Sequence, residues 1–386
     1  MYTFKLYLPV SKYSTLMKER FAVLDIFRGI FSSLVVLFHL SAFSATPIIN
    51  NEFVYNSDMF VDFFFVLSGF VIAYSYQHIK TGAELKRFFK KRFFRLYPLH
   101  IIVLLLFVLI ELSKHSASGY VHVNKVENVS NNIYTFLTNL FLVNSVKFPG
   151  INDVSWNIAS WSISAEMIAY VVFGFTMLFI NRCNLSALKT IIYLAIAILA
   201  GTAMYLLTGS FKLTRSFDYG FLRGIMGFSL GVVCLHTFNT CKDRLQILGK
   251  GLFSFLEITF ITLNIVLVCN GDYFKSYGFI FEAVFFITIL VFAFEKGWVS
   301  GLMKKSGFLH ATGKYSYSIY MIHTLILSLF NVVFIRVLKL PPSAYAYLFI
   351  VNYALIYFLS AWTFKHIEMR FNYSDKQQGK KRWWIW

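Results

Sequence analysis

Ten apolar runs recur along this chain, most of them near the ~20 residues that cross a bilayer as a helix. They span about 22–43, 58–78, 96–113, 157–180, 187–208, 217–237, 252–269, 277–295, 315–337 and 345–365. In hydrocarbon a lone segment satisfies its backbone N–H and C=O groups only as a helix. The expected fold is therefore all-α, a polytopic membrane bundle of about ten transmembrane helices. Composition agrees: 14% of the 386 residues are charged and 58% are hydrophobic, where a soluble domain carries about 25% charged residues. The 45 Phe and 23 Tyr suit lipid-facing and interfacial surfaces. No soluble domain, low-complexity linker or clear repeat interrupts the pattern. The chain reads as one domain over 1–386, with a core at about 21–370 and a short basic cytoplasmic tail at 371–386. The longest connection, about 114–156, ends in "IYTFLTNLFLV" (133–143), which reads as a short interfacial helix.

Lys and Arg placement sets the expected orientation. With the N-terminus inside, the inner segments hold 26 basic residues and the outer segments 8, while Arg28 and Arg223 fall within helices. Both termini are then cytoplasmic, as an even helix count requires. The net charge of +18 does not indicate a nucleic-acid partner. The basic residues flank apolar segments, as topology signals and headgroup contacts do, and no nucleic-acid-binding motif is visible. "AFSA" (42–45) faintly resembles a cleavage site, but Asp25 and Arg28 within the first apolar run argue for a retained anchor. The four cysteines form no pair that suggests a disulfide or a metal site.

The first run, "LDIFRGIFSSLVVLFHL" (24–40), carries Asp25, Arg28 and His39. Eleven residues at about 100° each leave Arg28 and His39 only ~20° apart on one helix face, roughly 16 Å apart along the axis. Ionisable groups in a spanning helix are functional candidates. The bland reading is snorkelling for Arg28 and helix–helix glue for His39. In "KKRFFRLYP" (90–98), Arg92 and Arg95 are neighbours at the cytoplasmic mouth of the third helix. Paired guanidiniums clamp phosphate, although a topology signal alone accounts for most basic loops. In "SWSISAEMIAY" (160–170), Glu166 lies near mid-membrane, either orienting a histidine or forming a structural ion pair, Arg223 being one partner to consider. "YSYSIYMIH" (315–323) puts His323 about two turns inside the cytoplasmic face, as a packing residue or a further site residue. The Gly and Ser of "FFFVLSGFVIAY" (63–74) and "FLRGIMGFSLG" (221–231) allow close helix packing, and the latter adds the buried charge of Arg223. No P-loop, HExxH or nucleophile elbow is present, so nucleotide hydrolysis and metalloprotease chemistry have no support.

Together these segments resemble, in order and over about residues 21–370, the acyltransferase-3 family of integral membrane acyltransferases. That family includes O-antigen, exopolysaccharide and enterobacterial common antigen O-acetyltransferases. The resemblance implies an acyl-CoA donor, usually acetyl-CoA, entering from the cytoplasm, with no permanently bound cofactor. It implies a sugar-hydroxyl acceptor, lipid-linked or on a surface glycan, and a bacterial inner membrane. Carried over, His39 is the essential histidine, Arg28 its paired arginine, and Arg92 and Arg95 the donor-side pair. Glu166 matches the family's acidic position, and His323, Arg223 and Asp25 are additional candidates. His39 would act as general base or carry the acyl group transiently, with Glu166 orienting it. Succinyl is an alternative acyl group. Outside this class stand a transporter or flippase of a lipid-linked glycan, and a sensor or scaffold. The former lacks paired inverted-repeat signals, and the latter has no reason to bury Arg28, His39 and Glu166 together.

Overall fold

The computed structural model describes residues 21–117, 128–341 and 346–371. The basic segment before residue 21, Lys125, the start of the last predicted span at 345 and the basic tail beyond 371 lie outside the described residues. Among the described residues the chain is helical and has no strand. The principal helices are α1 (Ala22–Ser41), α2 (Phe60–Tyr76), α3 (Gly82–Ala117), α4 (Ile133–Leu140), α5 (Ser160–Arg182), α6 (Lys189–Thr208), α7 (Gly220–Leu245), α8 (Lys250–Cys269), α9 (Gly278–Phe292), α10 (Gly307–Asn331) and α11 (Phe349–Thr363). Eight helical stretches among the described residues are long and apolar enough to cross a membrane. α9 is apolar but has only 15 residues, and α11 is carried on by a π-helical turn, Phe364–Glu368. Each of the ten predicted spans corresponds to one of these helices. α4 is the short helix expected in the long connection, started by a capping box between Asn132 and Thr135.

Two helix starts differ from the sequence reading, and both differences matter for the site. α3 begins at Gly82 and runs for 36 residues through Pro98, so the basic stretch is not a loop but the first turns of a helix about 54 Å long. α10 begins at Gly307, where the Ser306 side chain accepts the N–H of Leu309. His323 therefore lies sixteen residues past the start of its helix, roughly 24 Å along the axis, whereas the apolar run begins only at about 315. The cause is the same in both cases. Hydropathy marks the edge of the apolar layer, whereas a helix continues beyond that edge wherever its polar residues still form it.

Small residues set the crossings. α7 packs against α2, α5, α6 and α9. On α2, a Cβ at Gly69 would lie 1.9 Å from the Phe228 carbonyl oxygen, and one at Gly231 of α7 would lie 1.9 Å from that of Val66. The glycines of these two segments thus permit backbone contact, as their composition suggested. α1 and α10 form a second pair, parallel in direction, with Gly29 and Gly313 in the same relation. Phenylalanine fills the interior as well as the outer surface. Phe31 stacks on Phe60 at 4.0 Å and meets Phe63 edge-on at 4.7 Å, while Phe27 meets Phe292 at 4.7 Å. Leu112, Leu199, Leu206 and Phe358 are exposed, as side chains facing lipid are.

Candidate functional site

The N-terminal half of α3 shows how an arginine pair enters the protein. Its inward stripe runs Leu85, Phe88, Arg92, Arg95, Leu96, Leu99 and Val103, all buried. Three- and four-residue steps are the spacing of a core-facing helical stripe. Arg92 and Arg95 occupy core positions, whereas Lys86, Arg87 and Lys90 of the same segment are exposed. The topology-signal reading fits those lysines and Arg87 but not the buried pair. Arg92 donates to the Tyr76 hydroxyl at 3.2 Å and lies over its ring. Arg95 is paired with Glu368, and Tyr317 lies under its guanidinium at 5.3 Å.

These two arginines share one cavity with Arg28, Ser32, Ser68, Ser162, Glu166, Tyr170 and Tyr320. The space within it, counting the part open to solvent, is about 790 Å³. Arg28 comes from the first turns of α1, where it also lies 3.5 Å from Asp25. Glu166, in the second turn of α5, accepts 2.5 Å hydrogen bonds from the hydroxyls of Ser68 and Tyr170. The cavity thus gathers three guanidiniums and one carboxylate into a largely apolar wall, where charge–charge interactions are stronger than in water.

The structure brings His39 to His323. Their ring centres are 5.1 Å apart. Both stand ten residues beyond the Gly29–Gly313 contact on parallel helices, so one crossing fixes their shared depth. His323 is fully buried. Its Nδ1 lies 2.6 Å from the Tyr320 carbonyl oxygen. A carbonyl only accepts, so Nδ1 carries the proton of this bond, and the neutral ring has its lone pair on Nε2. That Nε2 is buried and has no hydrogen-bond partner among the described residues. His39 is half-buried. Neither histidine lines the cavity; Tyr320 does, and its ring centre is 5.8 Å from that of His323. Among the described residues no hydrogen bond joins Glu166 to His39; Glu166 lies on the arginine side.

Arg223 has a different partner from the one considered in the sequence. It forms a buried two-pronged pair with Asp62, at 3.1 and 2.6 Å, with Trp161 at 4.9 Å. Asp62, Glu368 and Tyr320 escaped the sequence reading. Asp62 and Glu368 carried a visible signal, a carboxylate within or at the end of an apolar run (FVDFFF, FKHIEM). Tyr320 carried none, since tyrosines are plentiful here.

No solved structure matches the chain. Over 90 residues it is 39% identical to "Protein 2 in picA locus" of Rhizobium radiobacter, a stretch covering 23% of this chain and 44% of that protein. The chain thus spans less than half the length of this relative. The family model described as "Acyltransferase domain" (acyltransferase-3) matches residues 21–362, from the residue before α1 almost to the end of α11. With eight membrane-length helices among the described residues, this chain belongs to the acyltransferase-3 family and is a multi-pass integral membrane protein.

Proposed function

We propose that the protein transfers an acyl group, acetyl in the first instance and succinyl as the alternative, from cytoplasmic acyl-CoA to a hydroxyl of a cell-surface or lipid-linked glycan. The observation that carries this reading is one cavity lined by Arg28, Arg92 and Arg95 whose Tyr320 wall abuts the His39–His323 pair. A coenzyme-A thioester has a phosphate-rich head and a long, thin arm. Guanidiniums grip the phosphates, and the arm lies along the α1 face from Arg28 toward His39. The imidazole of His39 takes the proton of the acceptor hydroxyl as its oxygen attacks the thioester carbonyl. The C–O bond forms, the C–S bond breaks, and the proton passes to the departing thiolate. In the two-step variant the imidazole itself is acylated and then surrenders the group to the hydroxyl. His323, with Nδ1 held by the Tyr320 carbonyl, presents a polar ring beside His39 and stabilises its charged or acylated form. Glu166 balances the arginine cluster.

The reading is tested with purified protein supplied with acetyl-CoA and a glycan acceptor. Acceptor-dependent release of free coenzyme A supports it, and transport of glycan without such release contradicts it. Replacing Arg92 and Arg95 together by Gln is expected to raise KM for acyl-CoA by at least about tenfold, the loss of one to two kcal/mol of phosphate contacts. KM for the acceptor stays near its original value. A change confined to the acceptor would move the pair to the other substrate.

Orientation enters the same proposal: both termini in the cytoplasm of a bacterial inner membrane, the arginine end of the cavity facing the acyl-CoA pool. In a protein with the four native cysteines replaced, a cysteine at Ala45, exposed after α1, labels with an impermeant maleimide in intact cells. One at Gly82, exposed and with open space around its Cα, labels only after the membrane is opened. The reverse pattern would place the arginines on the outer side and remove the donor from its proposed route.

A further inference from the structure

We infer that Glu368 is the positioning residue for Arg95, the carboxylate that holds this guanidinium in the attitude in which it meets the donor; the inference rests on the donor reading of the cavity. Glu368 lies at the end of the π-helical turn that follows α11. It is 2% exposed. Both of its oxygens are engaged: Oε2 accepts from Nη1 of Arg95 and Oε1 accepts from the Ser318 hydroxyl. The Ser318 oxygen in turn accepts from the Thr363 hydroxyl at 3.0 Å. The carboxylate therefore ties α3, α10 and α11 together at one point. Glu368 does not line the cavity, while Arg95 does. It can reach a donor only through Arg95.

The two donor-side arginines differ in this respect. Arg92 meets a neutral phenol, the Tyr76 hydroxyl, and shares the Glu166 carboxylate of the cavity with the other arginines. Arg95 meets a carboxylate, so its charge is locally offset and its direction is fixed. A buried, doubly bonded carboxylate is a stiff support, because each added hydrogen bond removes a way for the pair to turn. In this arrangement Arg92 supplies attraction and Arg95 supplies geometry. A merely structural role for Glu368 would leave no such division. It would act on folding alone and leave the donor KM of the folded protein unchanged.

The test is a double-mutant cycle on the full-length protein in detergent or vesicles, read as KM for acetyl-CoA, KM for acceptor and kcat. Glu368→Gln keeps the shape and removes the charge. It is expected to raise KM for acetyl-CoA about tenfold, with kcat and acceptor KM within about twofold. Glu368→Asp, which keeps the charge, recovers part of the loss. In the Arg95→Gln background, Glu368→Gln adds nothing further, since residues acting through one another are not additive. Additive effects, or a change in kcat or acceptor KM, would overturn the inference. If Glu368→Gln alone does not fold, the Arg95→Gln, Glu368→Gln double variant still decides: donor KM equal to that of Arg95→Gln supports the assignment, and a further rise removes it. Should Arg95→Gln leave donor KM unchanged, the donor reading of the cavity fails. Should Arg95→Gln raise it while Glu368→Gln in the native background does not, only the role of Glu368 fails.

Discussion

Replacing His39 by Ala is expected to lower acyl transfer by about a hundred- to ten-thousand-fold, the range of a lost general base, with the protein still folded in the membrane. Folding survives because His39 is half-buried, so its removal opens no sealed core cavity. The histidine it meets, His323, keeps its bond to the Tyr320 carbonyl. The loss falls on kcat, because Arg28 at the other end of the α1 face, and Arg92 and Arg95 of α3, remain in place. Coenzyme A release at matched membrane abundance measures it. A second readout separates the two chemical routes. Incubation with acetyl-CoA and no acceptor leaves an acetyl mass increment on the native protein, absent from the variant, only if the imidazole carries the acyl group. Near-native turnover in His39→Ala would remove this residue from the chemistry altogether.

The spans were legible because burial in lipid forces a strong signal: an apolar run near twenty residues long has few structures open to it. The shared face of Arg28 and His39 followed from helix geometry alone, and the glycine-bearing segments announced close packing. The pairings were not legible. Arg223 finds Asp62 across 161 positions and Arg95 finds Glu368 across 273. A single sequence shows that a buried charge needs a partner but not which one it takes. The inward register of Arg92 and Arg95 was present in the spacing from Leu85 to Val103, yet hydropathy hides it. Charged residues lower the average that delimits a span, so hydropathy alone sets the helix start after them. The same cut at the start of α10 drew His323 toward the cytoplasmic face and away from His39. The sequence sets Glu166 near mid-membrane and hence beside the histidine, whereas it stands in the second turn of α5. Depth fixes the height of a side chain and leaves its azimuth open, and Ser68 and Tyr170 draw this one toward the arginines.

Gly313→Val is expected to cost the protein both stability and its histidine pair. A Cβ at this position would stand 2.5 Å from the Asp25 carbonyl oxygen and 2.9 Å from its carbon, and one at Gly29 would stand 2.4 Å from the Gly313 nitrogen. Carbon atoms pack at about 3.5–4.0 Å, so α1 and α10 must part by on the order of 1 Å. These neighbours are backbone atoms of a helix and cannot rotate aside, which places the cost at or above the upper end of the ~1–3 kcal/mol usual for overpacking. The separation carries along both helices to His39 and His323, ten residues on, and to Arg28, on the turn next to Asp25. Activity should therefore fall further than the remaining folded fraction accounts for. Thermal unfolding in detergent together with turnover per folded molecule reports the two effects separately. Gly301→Val, at a half-buried site where a new Cβ meets nothing within 4 Å, should change neither beyond the modest strain of a β-branched residue in a helix. If Gly313→Val unfolds at the native temperature and turns over at the native rate, the α1–α10 crossing does not set the spacing of the histidines.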